Sequence, residues 1–178
     1  MTNQLAAPEA VRLETLSEES SAESLAAARE MLLEYGRFVI EQPGAARFCF
    51  GSLEQEAARL PHSYLDQGGG CLLATIGETP GGFIAWRALS PSPQVLAEAW
   101  EMKRLWARPT ARGLGLGRRL TEAVIDRAAA AGRRAIYLDT APASMSAAYR
   151  MYQQMGFHPC ARYNNTPVDD LVWMVKLL

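Results

Sequence analysis

The chain is expected to fold as a single mixed α/β domain, with a central β-sheet of about six to seven strands flanked by about four helices. Three observations predict this. Short apolar stretches of strand character alternate with amphipathic helical stretches from Val11 to Leu177, in the order β-α-α-β-β-β-α-β-α-β-β. One passage, strand to glycine loop to helix to strand, is the arrangement that joins parallel strands. The 178 residues suffice for one core, and no repeat, low-complexity tract or linker divides them.

The elements follow in order. Val11 to Leu16 (V-R-L-E-T-L) alternates as a first strand. Ser20-Ser21-Ala22-Glu23 has the S-x-x-E spacing of a capping box, and Leu25, Ala28, Leu32, Tyr35 and Val39 then recur at helical spacing to about Ile40. Gln42-Pro43-Gly44 ends that helix. Gly44 to Phe50 resists assignment, while Ser52 to Leu60 reads as a short second helix stopped by Pro61. Cys71 to Ile76 is an apolar strand, Gly77 to Gly81 a hairpin loop and Gly82 to Leu89 the returning strand. After the break Ser90-Pro91-Ser92-Pro93, a long strand runs from about Val95 to Ala107 and is closed by Pro109. The next helix buries Leu116, Leu120, Ala123, Val124 and Ala128 and stops at Gly132. Ala135 to Asp139 is a buried strand. Ser144 to Met155 is a helix with Ala148, Met151 and Met155 inward, ended by Gly156. Phe157 to Tyr163 and Leu171 to Leu177 supply two last strands.

Composition excludes several classes of function. With 18 basic and 19 acidic residues the net charge is -1, which favours neither nucleic acid nor an acidic membrane. Cys49, Cys71 and Cys160 are scattered and form no C-x-x-C, and His62 and His158 stand apart from any cysteine or carboxylate cluster, so no metal site is expected. Buried thiols in a reduced compartment are the expectation. No apolar run reaches the ~20 residues of a membrane span. The N-terminus lacks the pattern of a signal peptide, and a cytoplasmic location follows as the expectation.

The chemistry centres on Arg112-Gly113-Leu114-Gly115-Leu116-Gly117, between the long strand and a helix. Glycines allow a ligand close to the backbone, and the helix start offers free amides at its positive end. A phosphate is the expected guest. Lys103, Arg104, Arg108, Arg112, Arg118 and Arg119 cluster around this loop; Arg119 reads as a solvated residue and the others as phosphate neutralisers. No lysine follows the glycines, as a nucleotide triphosphatase loop requires. The G-x-G-x-G spacing and the strands upstream also count against a dinucleotide fingerprint.

What remains is Arg112-x-x-Gly115-x-Gly117, followed downstream by Ala148-Tyr149-Arg150-Met151-Tyr152-Gln153-Gln154-Met155-Gly156-Phe157. Together these resemble the GNAT superfamily of acyl-CoA-dependent N-acetyltransferases, whose motifs are [Q/R]-x-x-G-x-[G/A] and A-x-x-[LF]-Y-x-x-x-G-F. Met151 stands where Leu or Phe is usual. The resemblance covers the chain from Val11 onward in element order, with motif support from Ala97 to Phe157. It implies a GNAT fold over residues 1–178 and acetyl-CoA as cofactor. The pyrophosphate would sit on amides of Arg112, Gly113, Gly115, Gly117 and Arg118, in the loop that also contains Leu114 and Leu116. The pantetheine arm would run beside Leu105, Trp106 and Ala107, hydrogen-bonded to the backbone of Leu105 and Ala107. A backbone N–H near Leu105 or Ala107 would meet the oxyanion. Met145 replaces the family's Asn at the start of the last helix, so either Ser144 or Ser146 substitutes or the contact is absent.

Tyr152 matches the family's general acid, which protonates the departing sulfur, with Tyr149 one turn earlier as the alternative or as a cofactor-packing or core residue. Glu101 lies eleven residues before Arg112, where some members carry a catalytic glutamate. Burial is expected to raise its pKa toward that of a general base, while a salt bridge to Lys103 on the same strand face is the competing reading. Trp86, Arg87, Trp100 and Trp106 are candidates to line the site, with at least two of the three tryptophans expected in the core. The family's acceptor pocket lies at the first two helices, where Arg37, Phe38, Arg47 and Phe48, with Lys103 and Arg104, suit a small amine bearing a carboxylate. The activity implied is acetyl transfer to the primary amine of a small molecule, by direct attack in a ternary complex, since no cysteine is placed as an acyl carrier. Acetylation of a protein N-terminus or lysine, and a non-catalytic acyl-CoA-binding module, are the rival readings. Homodimerisation through the terminal strands is common in that family.

Overall fold

The computed structural model describes residues 10–43, 50–166 and 168–178. Seven strands form one sheet in the order β1-β2-β3-β4-β5-β7-β6. The strands are β1 Val11–Thr15, β2 Gly70–Ile76, β3 Thr79–Leu89, β4 Ala99–Ala107, β5 Ala135–Thr140, β6 His158–Pro159 and β7 Val172–Leu177. Five α-helices flank the sheet: α1 Ala22–Ile40, α2 Phe50–Ala58, α3 His62–Leu65, α4 Leu116–Ala130 and α5 Ser146–Gln154. Only β4 and β5 run parallel, joined through α4; every other pairing is antiparallel.

Helices cover both faces of the sheet, which explains why β2 is buried from Gly70 to Thr75 and mostly apolar instead of alternating. Cys71 and Leu73 pack with Ala28, Met31 and Leu32 of α1, Leu53 and Ala57 of α2 and Tyr64 of α3. Leu72 and Ala74 face Leu116, Leu120, Val124 and Ala128 of α4, with Tyr152 of α5 in the same cluster. Each fully buried leucine contributes about 1.5–3 kcal/mol. The apolar positions of α4 recur every four residues, so one stripe of the helix meets the sheet.

Several sequence expectations shift. The cap of α1 is Ser21, whose side chain accepts from the Ser24 amide at 3.0 Å, and not Ser20. The β2–β3 connection is the two-residue turn Gly77-Glu78, because Thr79 and Pro80 pair with Ile76 and Thr75. Residues 95–98 lie outside the long strand: Val95 forms an isolated bridge to Ser92, and Glu98 has φ 57°. A fifth helix, α3, follows Pro61 directly, and the strand expected from Phe157 shrinks to His158–Pro159. Gly44 to Cys49, with the candidates Arg47 and Phe48, lie outside the described residues.

Two irregularities in β4 shape the site. The β4–β5 ladder stops after Ala99–Ala135, Trp100–Ile136 and Glu101–Tyr137. From Met102 to Ala107 β4 is paired only on its β3 side, so β4 and β5 open into a slot. Arg104 has φ 61°, and the β3–β4 register shifts beside it. This bulge reverses the alternation. Trp100, Met102, Leu105 and Ala107 belong to the α4 side of the sheet, whereas Trp106 packs on the α1 side and Arg104 reaches α2.

Candidate active site

The glycine loop stands at the outer mouth of the slot. Gly113 and Gly115 have φ 82° and 75°, and a Cβ built on either would meet nothing within 4 Å. Glycine is therefore required for the left-handed backbone, not for space. Gly115 caps α4 without a side-chain acceptor. Among the described residues, no acceptor is found for the amides of Gly113, Leu114, Gly115, Leu116, Gly117 or Arg118. Among the described residues nothing caps the start of α5 either: Met145 contributes no side-chain bond, and the amides of Ser146, Ala147 and Ala148 have no backbone acceptor. Two helix N-termini thus open on one cleft of about 650 Å³. It is lined by Leu105, Trp106 and Ala107 of β4, Arg112, Gly113, Gly115, Gly117 and Arg118 of the loop, and Ser144, Met145, Ser146 and Met151 near α5.

An inner cleft of about 80 Å³ continues through the slot, with Tyr35, Ser144, Met145, Leu105 and Ala148 shared between the two. Its other walls include Met102, Lys103 and Arg104 of β4, Leu138, Asp139 and Thr140 of β5, Tyr152 of α5, and Thr166 and Leu171. Among the described residues the Tyr152 hydroxyl has no hydrogen-bond partner, and burial pushes its pKa up. The phenol therefore keeps its proton at neutral pH.

Glu101 takes neither wall of the cleft. It is fully buried and both its oxygens are occupied. Arg87 Nε donates to Oε2 at 2.7 Å and Arg87 Nη2 lies 2.7 Å from the same atom. The Tyr163 hydroxyl and Asn164 Nδ2 donate to Oε1 at 3.1 and 2.9 Å, and Lys103 Nζ stands 3.5 Å from Oε2. Burial pushes the carboxyl up, but the charges of Lys103 and Arg87 and the bonds from Asn164 and Arg87 outweigh it and hold the pKa below the ordinary value. The expected upward shift is corrected: the salt bridge prevails, and its closer partner is Arg87, on the neighbouring strand.

Other candidates separate in the same way. Arg104 is bound to Glu56, and Arg108 to Glu34 and Glu30, so neither is free to neutralise a phosphate; Arg112 and Arg118 do line the outer cleft. Arg112 lies 5.2 Å from the centre of the Trp106 ring and donates to the Ala107 carbonyl at 3.3 Å. Arg37 is exposed on α1 and lines neither cleft, while Phe38 lines the outer one. Helical geometry separates the pair: the turn that brings Tyr35 and Phe38 to the cleft carries Arg37 outward. The side chain of Leu114 is exposed and that of Leu116 lies in the core, and neither lines a cleft. Tyr149 packs against the core and lines neither cleft. Trp86 and Trp100 stack in the core with ring centres 5.7 Å apart, leaving Trp106 as the tryptophan at the cleft.

Sequence reasoning missed Asp139, Asn164 and Thr166. Asn164 Nδ2 also donates to Asp139 Oδ2 at 2.7 Å, as does Thr166 Oγ1 at 2.7 Å, and Trp173 Nε1 donates to Asn164 Oδ1 at 2.8 Å. The available signal was a carboxylate ending a buried strand, just ahead of the helix that carries Tyr152.

The glycine loop, the slot and Tyr152 thus lie along one open strand edge. The model of the acetyltransferase (GNAT) family matches residues 28–157, and the chain belongs to that family. A stretch of 74 residues is 36% identical to an uncharacterized N-acetyltransferase of Schizosaccharomyces pombe, covering 42% of this chain and 45% of that one, so the match spans less than half of that relative. A GNAT-family acetyltransferase of Staphylococcus aureus Mu50 superposes with a TM-score of 0.71 at 17% identity, over 94% of this chain and 99% of that one. The paia N-acetyltransferase of Thermoplasma acidophilum, solved in complex with coenzyme A, superposes with a TM-score of 0.69 at 16% identity, over 95% and 99%. These likenesses establish the fold. Among the described residues, no helix is long and apolar enough to cross a membrane.

Proposed function

We propose that the protein is an N-acetyltransferase that moves the acetyl group of acetyl-CoA to the primary amine of a small molecule, by direct attack in a ternary complex. One observation carries the reading: among the described residues the six consecutive amides from Gly113 to Arg118 have no acceptor, and Gly113, Gly115, Gly117 and Arg118 line a cleft that continues through the β4–β5 slot to Tyr152. Unpaired amides at a helix start suit a pyrophosphate. The unpaired edge of β4 from Met102 to Ala107 suits an extended arm with amide groups. Both fit coenzyme A.

In this reading the amides of the loop and Arg118 hold the pyrophosphate, with Ser144 or Ser146 at the second helix start. Acetyl-CoA supplies an activated thioester. The main chain near Leu105 and Ala107 faces the carbonyl oxygen, where a fixed donor stabilises developing negative charge. Tyr152 donates its hydrogen bond to the departing sulfur and gives up its proton as the C–S bond breaks. Glu101 is a positioning residue: it gathers Arg87 and Asn164 and stands 3.5 Å from Lys103, which lines the inner cleft. Direct attack is favoured because, of the two cysteines among the described residues, Cys71 is buried on the α1 side with its thiol pushed up to about 12, and Cys160 lines neither cleft. The narrow inner cleft favours a small acceptor over a protein chain.

The test is calorimetric titration with acetyl-CoA, followed by thiol release across a panel of amines, for wild type and Tyr152→Phe. The expected result is tight binding by both proteins, with kcat reduced about 100-fold or more by the substitution, the scale of general acid catalysis. Absence of binding would overturn the reading.

A further inference from the structure

The inner cleft presents two opposite charges that the fold leaves incompletely used. Asp139 is the last residue but one of β5, and the two donors found for it among the described residues, Asn164 Nδ2 and Thr166 Oγ1, fall on Oδ2 at 2.7 Å. Among the described residues nothing donates to Oδ1, although the residue lines the cleft with Tyr152 and Tyr35. Lys103 is the second group. Among the described residues its Nζ has one ionic contact, 3.5 Å to Glu101 Oε2, and Arg87 already holds that oxygen at 2.7 Å. The other basic side chain on this wall, Arg104, is already paired through Nε and Nη2 with both oxygens of Glu56. A largely buried ammonium without a close carboxylate is costly. Burial accordingly pushes the Lys103 pKa down, with Glu101 and Asp139 opposing it.

We infer that the inner cleft receives a small zwitterion of the amino-acid class, its ammonium at Asp139 and its carboxylate at Lys103, and that Asp139 takes the proton that frees the amine. The inference rests on the acetyltransferase reading above and names its acceptor and its base. Asp139 and Lys103 lie on the two strands that splay apart, so a ligand bridging them lies across the slot through which the thioester would arrive. Val39, Met102, Leu138 and Leu171 give the remaining wall an apolar character, and the volume of about 80 Å³ is far below that of a drug-sized pocket.

The proton count closes. The acceptor ammonium gives one proton to Asp139. The lone pair so freed forms the C–N bond while the C–S bond breaks. The sulfur takes a proton from Tyr152, and the second proton lost by nitrogen returns to Tyr152. An amine cation and a thioester thus become an amide, a thiol and one proton, which Asp139 passes to water. Glu101 cannot serve this role, because all its acceptor positions are filled from the protein.

The test measures thiol release from acetyl-CoA with the standard amino acids, their methyl esters and their decarboxylated amines. Wild type is expected to prefer the free acids at least tenfold. Asp139→Asn keeps a carbonyl oxygen for Asn164 and Thr166 while removing the charge at Oδ1. It should lower kcat/KM about 100-fold or more and leave coenzyme A affinity within twofold. Lys103→Met should abolish the preference for acid over ester. Should Asp139→Asn also lose coenzyme A binding, the acid-to-ester ratio of Lys103→Met decides alone. Wild-type preference for esters or plain amines, or undiminished turnover by Asp139→Asn, overturns this inference and leaves the acetyltransferase reading standing. A wild type that binds no coenzyme A overturns that reading first.

Discussion

The guanidinium of Arg104 clasps the carboxylate of Glu56 through two hydrogen bonds, Nε to Oε1 at 3.1 Å and Nη2 to Oε2 at 3.0 Å. This pair fastens the bulge of β4 to α2, and the Tyr64 hydroxyl adds a third donor to the same carboxylate. A non-glycine residue at φ 61° costs about 1–3 kcal/mol, so the bulge requires such an anchor. The bulge in turn puts Trp106 beside α1 and Leu105 at the cleft.

Arg104→Ala should therefore destabilise the protein by about 2–3 kcal/mol, the scale of lost charge-assisted hydrogen bonds to a half-buried carboxylate. Arg104→Lys should recover only part, since an ammonium cannot make the two-pronged contact. Urea unfolding of the three proteins checks this. Equal midpoints would show that the bulge needs no anchor.

Acid should unfold the protein through its paired glutamates. Burial pushes Glu101, Glu34 and Glu56 up, but their basic partners outweigh it: Lys103 and Arg87 for Glu101, Arg108 for Glu34, Arg104 for Glu56. All three pKa values are thus lower in the folded chain than in the unfolded one, so the unfolded chain takes up protons first as pH falls. Their stabilisation is complete above the unfolded value of about 4.3 and drains away as pH falls through the folded values. Thermal melts from pH 6 to pH 3 should show a falling Tm, and Glu101→Gln should lower Tm at pH 7 while flattening that slope. An unchanged slope would mean that Glu101 releases its proton no more readily folded than unfolded.

Two neighbouring arginines should part company on coenzyme A binding. Arg118 lines the outer cleft and is half-exposed, its nearest partner being Gln154 Oε1 at 3.0 Å. Arg108 is taken up by Glu34, Glu30 and the Pro80 carbonyl. Arg118→Ala should weaken coenzyme A binding about tenfold, more at low salt than at high, with little change in stability. Arg108→Ala should leave affinity within twofold but cost about 1–3 kcal/mol, because Glu34 keeps only its Trp106 partner. Calorimetry and thermal melts on both variants decide between these roles.

Gly115→Ala tests the loop backbone itself. A methyl group there meets nothing, so the cost in the free protein is the left-handed strain alone, about 1–2 kcal/mol. Relief of that strain would turn the amides of residues 115–118 away from their common target. Coenzyme A affinity should fall at least tenfold, whereas Gly132→Ala, also at positive φ but at the far end of α4, should cost similar stability with affinity intact. Equal loss of affinity in both variants would mean that the loop amides are not the binding group.

Much of the fold was legible because its signals are short-range. The stripe Leu116, Leu120, Val124 and Ala128 marks α4, and it is the stripe that the sheet buries. Where two local signals competed, tertiary pairing chose. Thr79, Pro80 and Gly81 have loop composition, yet β2 draws Thr79 and Pro80 into a ladder. The S-x-x-E spacing put the cap of α1 at Ser20, and Ser21 took the role. Glu101 was correctly placed in mid-strand, but its partners Arg87, Tyr163 and Asn164 arrive from β3 and from the segment after β6. No spacing rule connects residues so far apart.

The sequence alone determined where unpaired amides gather at a helix start. Glycine at positive φ, unpaired amides and the start of a helix are all contained in Arg112 to Arg118, so nothing distant is needed to form them. Only the tertiary structure decided which charges face the cleft. The splay of β4 from β5, the bulge at Arg104 and the donors gathered from β3 and residues 163–166 bury Glu101 in satisfied bonds and leave Asp139 an open oxygen. Those outcomes depend on competition among long-range ion pairs, which is settled only when the chain has closed.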